Sequence, residues 1–273
     1  MVESASRSSF LFEHDLFGKP VSTFPDHALV DDVIAAVDIQ RFAGDQTRRV
    51  VSEESGGGAN VVDADETACG RFRFGLGHWT ENRRISHVFV MDVPTYAETL
   101  FLTDAAVNIF PDLDAKRDIV QNAVDLFTAI GLGTPRVAIL SAVETVTSKI
   151  PATIDAAALC KMADRGQITG AVLDGPLAFD NAIDPQAARI KGILSAVAGR
   201  AQILVVPDLE AGNMLAKNLI YLAKADSAGL VLGARVPIVL TSRADSVRSR
   251  MASCAVAVLY AAARRGAAIV SAA

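Results

Sequence analysis

The rhythm of apolar positions changes near residue 83. From there to about residue 265, short continuous runs of Val, Ile and Leu alternate with stretches whose apolar residues recur at helical spacing. "HVFVMDV" and "TLFLTDA" predict a pair of strands. "DLDAKRDIVQNAVDLFTAIG" predicts a helix capped by Asp112 or Asp114 and ended at Gly131. "RVAILSA" reads as a strand and "TIDAAALCKMADRG" as a helix that stops at Gly166. "GAVLDGP", "ILVVPD" and "GLVLG" are further short strands, separated by the helical stretches "PQAARIKGIL" and "EAGNMLAKNLIYLAKA". "PIVLTS" is the last strand, and a helix follows over 247–265. Uniformly apolar strands are buried on both faces, so the expectation is α/β architecture with a mostly parallel sheet and flanking helices.

The first 80 residues lack this grammar. Only "HALVDDVIAAVDI" has helical periodicity, with Leu29, Val30, Val33, Ile34 and Val37 on one side. Gly56 to Gly58 of "SEESGGGAN" read as a flexible loop, because no strand delivers them and no Lys-Ser/Thr follows. Residues 1–80 are therefore taken as an atypical N-terminal segment without an assigned fold.

Polar residues of the regular half collect where strands end: "VMDVPTY", "LTDAAVN", "LSAVET", "LDGPLAFDN", "VPDLEAGN" and "LTSRADS". Each alone reads as a cap or turn. Six in succession predict a common cleft, since ligands of α/β sheets bind beyond the strand ends. In the last segment, Ser242 and Arg243 leave the sheet just before a helix starting near Asp245 or Ser246. Its apolar side is expected to run through Val247, Met251, Cys254, Ala255, Val258 and Leu259. Amide N–H groups at a helix start and a guanidinium beside them suit phosphate or an acyl phosphate. A neighbouring hydroxyl suits a carbonyl that gains negative charge. An N-cap Ser with an Arg paired to a surface carboxylate is the alternative.

Composition narrows the classes. A formal charge of −5 argues against a general nucleic-acid binder, which needs a basic field. Three cysteines, Cys69, Cys160 and Cys254, fit neither a disulfide framework nor a zinc cluster, and the four histidines, His14, His27, His78 and His87, are equally scattered. No metal is expected. The N-terminus has no apolar signal region, and "ASCAVAVLYAAA" is too short to span a bilayer, so no membrane association and a cytoplasmic location are expected.

"RRISHVFVMDVPTY", "ALCKMADRGQITGA", "LDGPLAFDNAI", "VVPDLEAGNMLAK" and "TSRADS" together resemble the phosphate acetyl/butyryl transferase family, in order, from about Arg83 to Arg265. The resemblance implies reversible transfer of an acetyl or butyryl group between coenzyme A and inorganic phosphate, forming an acyl phosphate. Coenzyme A is then a substrate, and no cofactor is expected. It implies a two-domain α/β fold similar to isocitrate or isopropylmalate dehydrogenase, with the site between the domains, and a homodimer. Residues 81–103 and 236–270 would belong to a first domain, incomplete here, and 104–235 to the second. By resemblance Arg243 holds phosphate and Ser242 binds the carbonyl. Many relatives carry a carboxylate base about two turns past that Ser, where this chain has Ser249; Asp245 is the nearest acid and the candidate base. Arg84, Ser86, Asp104, Asn108, Asp174, Asp208, Gly212 and Asn213 also fall in family motifs, as substrate-binding or cleft-shaping residues. The Lys-Gly-x-Leu-x-Thr segment expected upstream of Arg83 is not found. That leaves two further readings: a noncatalytic relative retaining ligand binding or an interaction role, and a dehydrogenase of the isocitrate type. The second lacks a metal-binding Asp cluster and a dinucleotide fingerprint.

Overall fold

The structure, a computed structural model, describes residues 83–271. The helix expected at 27–39, the glycine loop, Cys69 and three of the histidines lie outside the described residues.

Seven strands form one sheet: β1 (Ser86–Asp92), β2 (Leu100–Thr103), β3 (Arg136–Leu140), β4 (Val172–Leu177), β5 (Ile203–Val205), β6 (Asp226–Leu232) and β7 (Ile238–Val239), in the order β4-β3-β5-β2-β1-β6-β7. The helices are α1 (Leu113–Ala129), α2 (Pro151–Asp164), α3 (Phe179–Ile183), α4 (Pro185–Ile190), α5 (Leu209–Tyr221) and α6 (Val247–Ser271). Every strand and helix read from the pattern within residues 83–271 is present. The cap of α1 is Asp112, whose carboxylate accepts the Ala115 N–H at 2.8 Å.

The expected mostly parallel sheet is corrected to a mixed one. β2, β5, β3 and β4 pair in parallel, but β1 is antiparallel to both β2 and β6, and β7 is antiparallel to β6. The apolar runs arise because both faces are covered whatever the direction of the strands. On one face Val88, Phe101, Val137, Ile139, Ile203, Val205 and Leu230 pack with α1, α2 and α6; Phe101 meets Phe127 of α1 edge-on at 5.1 Å between ring centres. On the other, Leu100, Leu102, Ala138, Leu140 and Leu204 pack with Ala182 of α3 and with Ala216 and Leu219 of α5. Adjacent residues of β2, β3 and β5 thus serve opposite layers, as the two-residue repeat of a strand requires. Between α1 and α2 the buried Lys116 ammonium meets the Asp155 carboxylate at 2.7 Å.

One expected face is turned. The inner side of α6 is Ser253, Ala257 and Tyr260, all buried, while Val247 and Leu259 are 76% and 57% exposed. The small Ser253 and Ala257 let this stretch of α6 lie close to β6, while Val247 and Leu259 are left outside. No helix of the described residues is long and apolar enough to cross a membrane.

Candidate active site

Strand directions decide which polar segments meet. β1 and β7 run against β2, β3, β4 and β5, so the segments that follow β1 and β7 emerge at the opposite end of the sheet from the other four. The six strand ends therefore do not share one cleft. Arg84, Ser86, Asp104, Asn108, Asp208, Gly212 and Asn213 gather at one end, and Ser242, Arg243 and Asp245 stand at the other.

The first group is knitted together. The buried Asp104 carboxylate accepts N–H bonds from Ala106, Val107 and Asn108, and the Asn108 Nδ2 donates to it at 2.6 Å. The same Asn108 amide also donates to the Ile85 carbonyl. Asp208 caps α5 by accepting from Ala211 N–H, and Asn213 Nδ2 donates to the Ala105 carbonyl at 3.3 Å. A Cβ on Gly212 would stand 2.8 Å from the Asp104 carbonyl oxygen and from Val206 Cγ2. Only glycine lets α5 start this close to the end of β2. Ser86 is buried and accepts from Asn122 Nδ2, which also donates to the Arg84 carbonyl; the Arg84 N–H donates to Asp118. These contacts hold loops to strands. Asp174 lies apart in β4, where its carboxylate accepts the Gly175 N–H.

The second group is a turn between β7 and α6. Ser242 N–H donates to the Asp245 carboxylate at 2.6 Å, and Asp245 N–H donates to the Ser242 carbonyl at 3.0 Å. Ala244 N–H donates to Ser242 Oγ at 3.3 Å, which leaves the Ser242 hydroxyl proton available outward. Asp245 thus closes the turn and does not cap the helix. The cap is Ser246, whose Oγ accepts the Ser249 N–H at 3.1 Å. Ser249 Oγ lies 3.1 Å from Ser246 Oγ. Ser242 and Arg243 are exposed, and the Arg243 guanidinium makes no ion pair among the described residues. An unpaired, planar, five-donor cation beside an outward hydroxyl is equipped for a phosphate and a carbonyl oxygen.

Sequence reasoning assigned no role to His87. It is buried in β1, its Nδ1 has no partner, and burial, offset in part by the Asp104 charge, lowers its pKa to about 4. Its ring stacks edge-on against Phe89 at 4.4 Å. The sequence offers only a histidine beside the apolar "VFV" run, which does not separate an inner from a surface position. Burial likewise pushes the Cys160 thiol up to about 12, aided by the nearby Asp174 and Asp164 charges, so it is an unreactive core thiol.

A seven-stranded mixed α/β sheet with a Ser-Arg turn before its last helix defines a class, and comparison identifies it. The family model described as "Phosphate acetyl/butaryl transferase" matches residues 76–258, and the chain belongs to that family. It is similar to the phosphate acetyltransferase of Rhizobium meliloti, 83% identical over 185 residues that make up 68% of this chain and 58% of that protein. The probable phosphate butyryltransferase of Bacillus subtilis is 52% identical over 174 residues, 64% of this chain and 58% of that one. Among solved structures, a branched-chain phosphotransacylase from Enterococcus faecalis is 35% identical with a TM-score of 0.62, over 67% of this chain and 66% of that chain. The chain thus spans little more than half the length of these curated relatives.

Proposed function

We propose that this chain takes part in transfer of a short acyl group between coenzyme A and inorganic phosphate. The observation that carries the reading is the exposed Ser242–Arg243 turn, within a chain region that belongs to a family of phosphate acyltransferases. Arg243 would hold the phosphate in bidentate fashion, and the Ser242 hydroxyl would donate to the carbonyl oxygen as it becomes tetrahedral. The thiol of coenzyme A must lose its proton to attack. Asp245, bonded to the Ser242 N–H, is better fitted to shape the turn than to take that proton. On this reading coenzyme A and phosphate are substrates, and the chemistry needs no metal or bound cofactor.

The finer architecture belongs to the same proposal: two α/β domains paired as in isocitrate dehydrogenase, in a cytoplasmic homodimer. β7, a two-residue edge strand, and the outward Val247 and Leu259 of α6 support a further domain on that side. β1 and β2, read in sequence as part of the first domain, lie inside the same sheet as the strands of 104–235.

Purified protein given acetyl phosphate or butyryl phosphate with coenzyme A should form the thioester. Ser242→Ala and Arg243→Ala should each lower kcat/KM by roughly 10²–10³. Absence of turnover in the folded protein with both acyl phosphates would sink this reading and favour the noncatalytic one, which the hydroxyl of Ser249 at the expected carboxylate position also supports.

A further inference from the structure

The Ser242–Arg243 turn is exposed, yet the reading above needs it held in one conformation. What holds it lies at Gly229, in the middle of β6. Three elements meet there. The Gly229 N–H donates to Ser253 Oγ of α6 at 2.9 Å, and that hydroxyl in turn donates to the Ser249 carbonyl at 2.7 Å. The Gly229 carbonyl accepts the Leu240 N–H at 3.1 Å, where the chain leaves β7. A Cβ at Gly229 would overlap the Leu240 carbonyl oxygen and stand 3.2 Å from His87 Nε2. The missing side chain is thus the space into which the Leu240 carbonyl tilts, with the imidazole of β1 against the same point.

His87 is an odd choice for this place. A buried ring nitrogen without a partner carries a desolvation cost that a Leu or Phe would not. A group kept in the core at such a cost points to a task beyond filling volume. The imidazole is neutral at ordinary pH, since burial holds its pKa near 4, so it brings a compact, rigid, uncharged plate to the place where β7 ends.

We propose that His87 and Gly229 are positioning residues for the Ser242–Arg243 turn: the imidazole and the vacant Cβ position fix the tilt of the Leu240 carbonyl, and Ser253 fixes the start of α6. The turn is thereby pinned at both of its ends to one residue of β6. The role in acyl transfer rests on the function proposed above; the mechanical claim does not.

Hydrogen exchange of individual amides tests it, because Leu240, Ser242 and Asp245 N–H each have an acceptor within this unit. In His87→Ala and in Gly229→Ala, one opening space and the other filling it, these three amides should exchange at least tenfold faster, with β3 and β5 unchanged. His87→Gln, which keeps most of the bulk, should restore slow exchange. Ser253→Ala, a milder change, should speed Ser242 and Asp245 and keeps the test open should the first two variants not fold. In the acyl-transfer assay, His87→Ala should lower kcat more than it raises KM for coenzyme A. Unchanged exchange at all three amides, or a uniform rise across the sheet, would overturn the proposal. A wild-type protein without turnover would instead remove the proposed function, while the exchange result still judges the turn.

Discussion

At the scale of single residues, His87 makes stability depend on pH. Its pKa is about 4 when folded against an ordinary value of 6.5, so the unfolded chain binds the proton more readily. The contribution is fully present above about pH 6.5 and is lost as pH falls toward 4. Between pH 7 and pH 5 the wild type should lose about 2 kcal/mol more than His87→Gln in urea unfolding. Equal losses in the two proteins would show that the ring is not shielded from water. Its burial was not legible in "ISHVFVM", because a histidine at a strand start reads as well for a surface position as for an inner one. The Ser-Arg pair was legible as a pair. The role of Asp245 was not, since a carboxylate three residues on serves a turn or a helix cap equally, and Ser246 took the cap.

Elements show where pattern reading succeeds and fails. Within residues 83–271 the strands and helices read from apolar periodicity are found, while the short α3 was not read from the pattern. Strand direction is a property of connections, and two of these carried a signal that went unused. Only residues 233–237 join β6 to β7, and 93–99 join β1 to β2. Parallel pairing needs a crossover of a dozen or more residues, so both connections require antiparallel neighbours. The β1–β6 pairing, formed across more than a hundred residues of chain, had no local signal at all. The junction between β2 and α1 depends on Asp104, whose carboxylate gathers three amide N–H groups and the Asn108 side chain. Asp104→Ala would leave buried donors unmet and should cost roughly 2–4 kcal/mol in thermal or urea unfolding. A loss below about 0.5 kcal/mol would mean that the loop finds other partners.

Across the whole molecule, the two polar groups are held apart by the sheet itself. β1 alone is seven residues long, so about 20 Å of strand separates the Ser86 end from the end where Ser242 emerges. An inorganic phosphate cannot span that gap. The sequence could not show the separation, because six polar strand ends look alike until the reversed direction of β1 and β7 is known. The division has a thermodynamic meaning. Sites this far apart, with no direct contact between them, should answer to mutation independently. In a double-mutant cycle joining Asp104→Ala with Ser242→Ala, the two stability changes should sum to within about 0.5 kcal/mol. A coupling energy well above that would mean the antiparallel strands relay strain from one rim to the other, making one mechanical body of what the geometry draws as two.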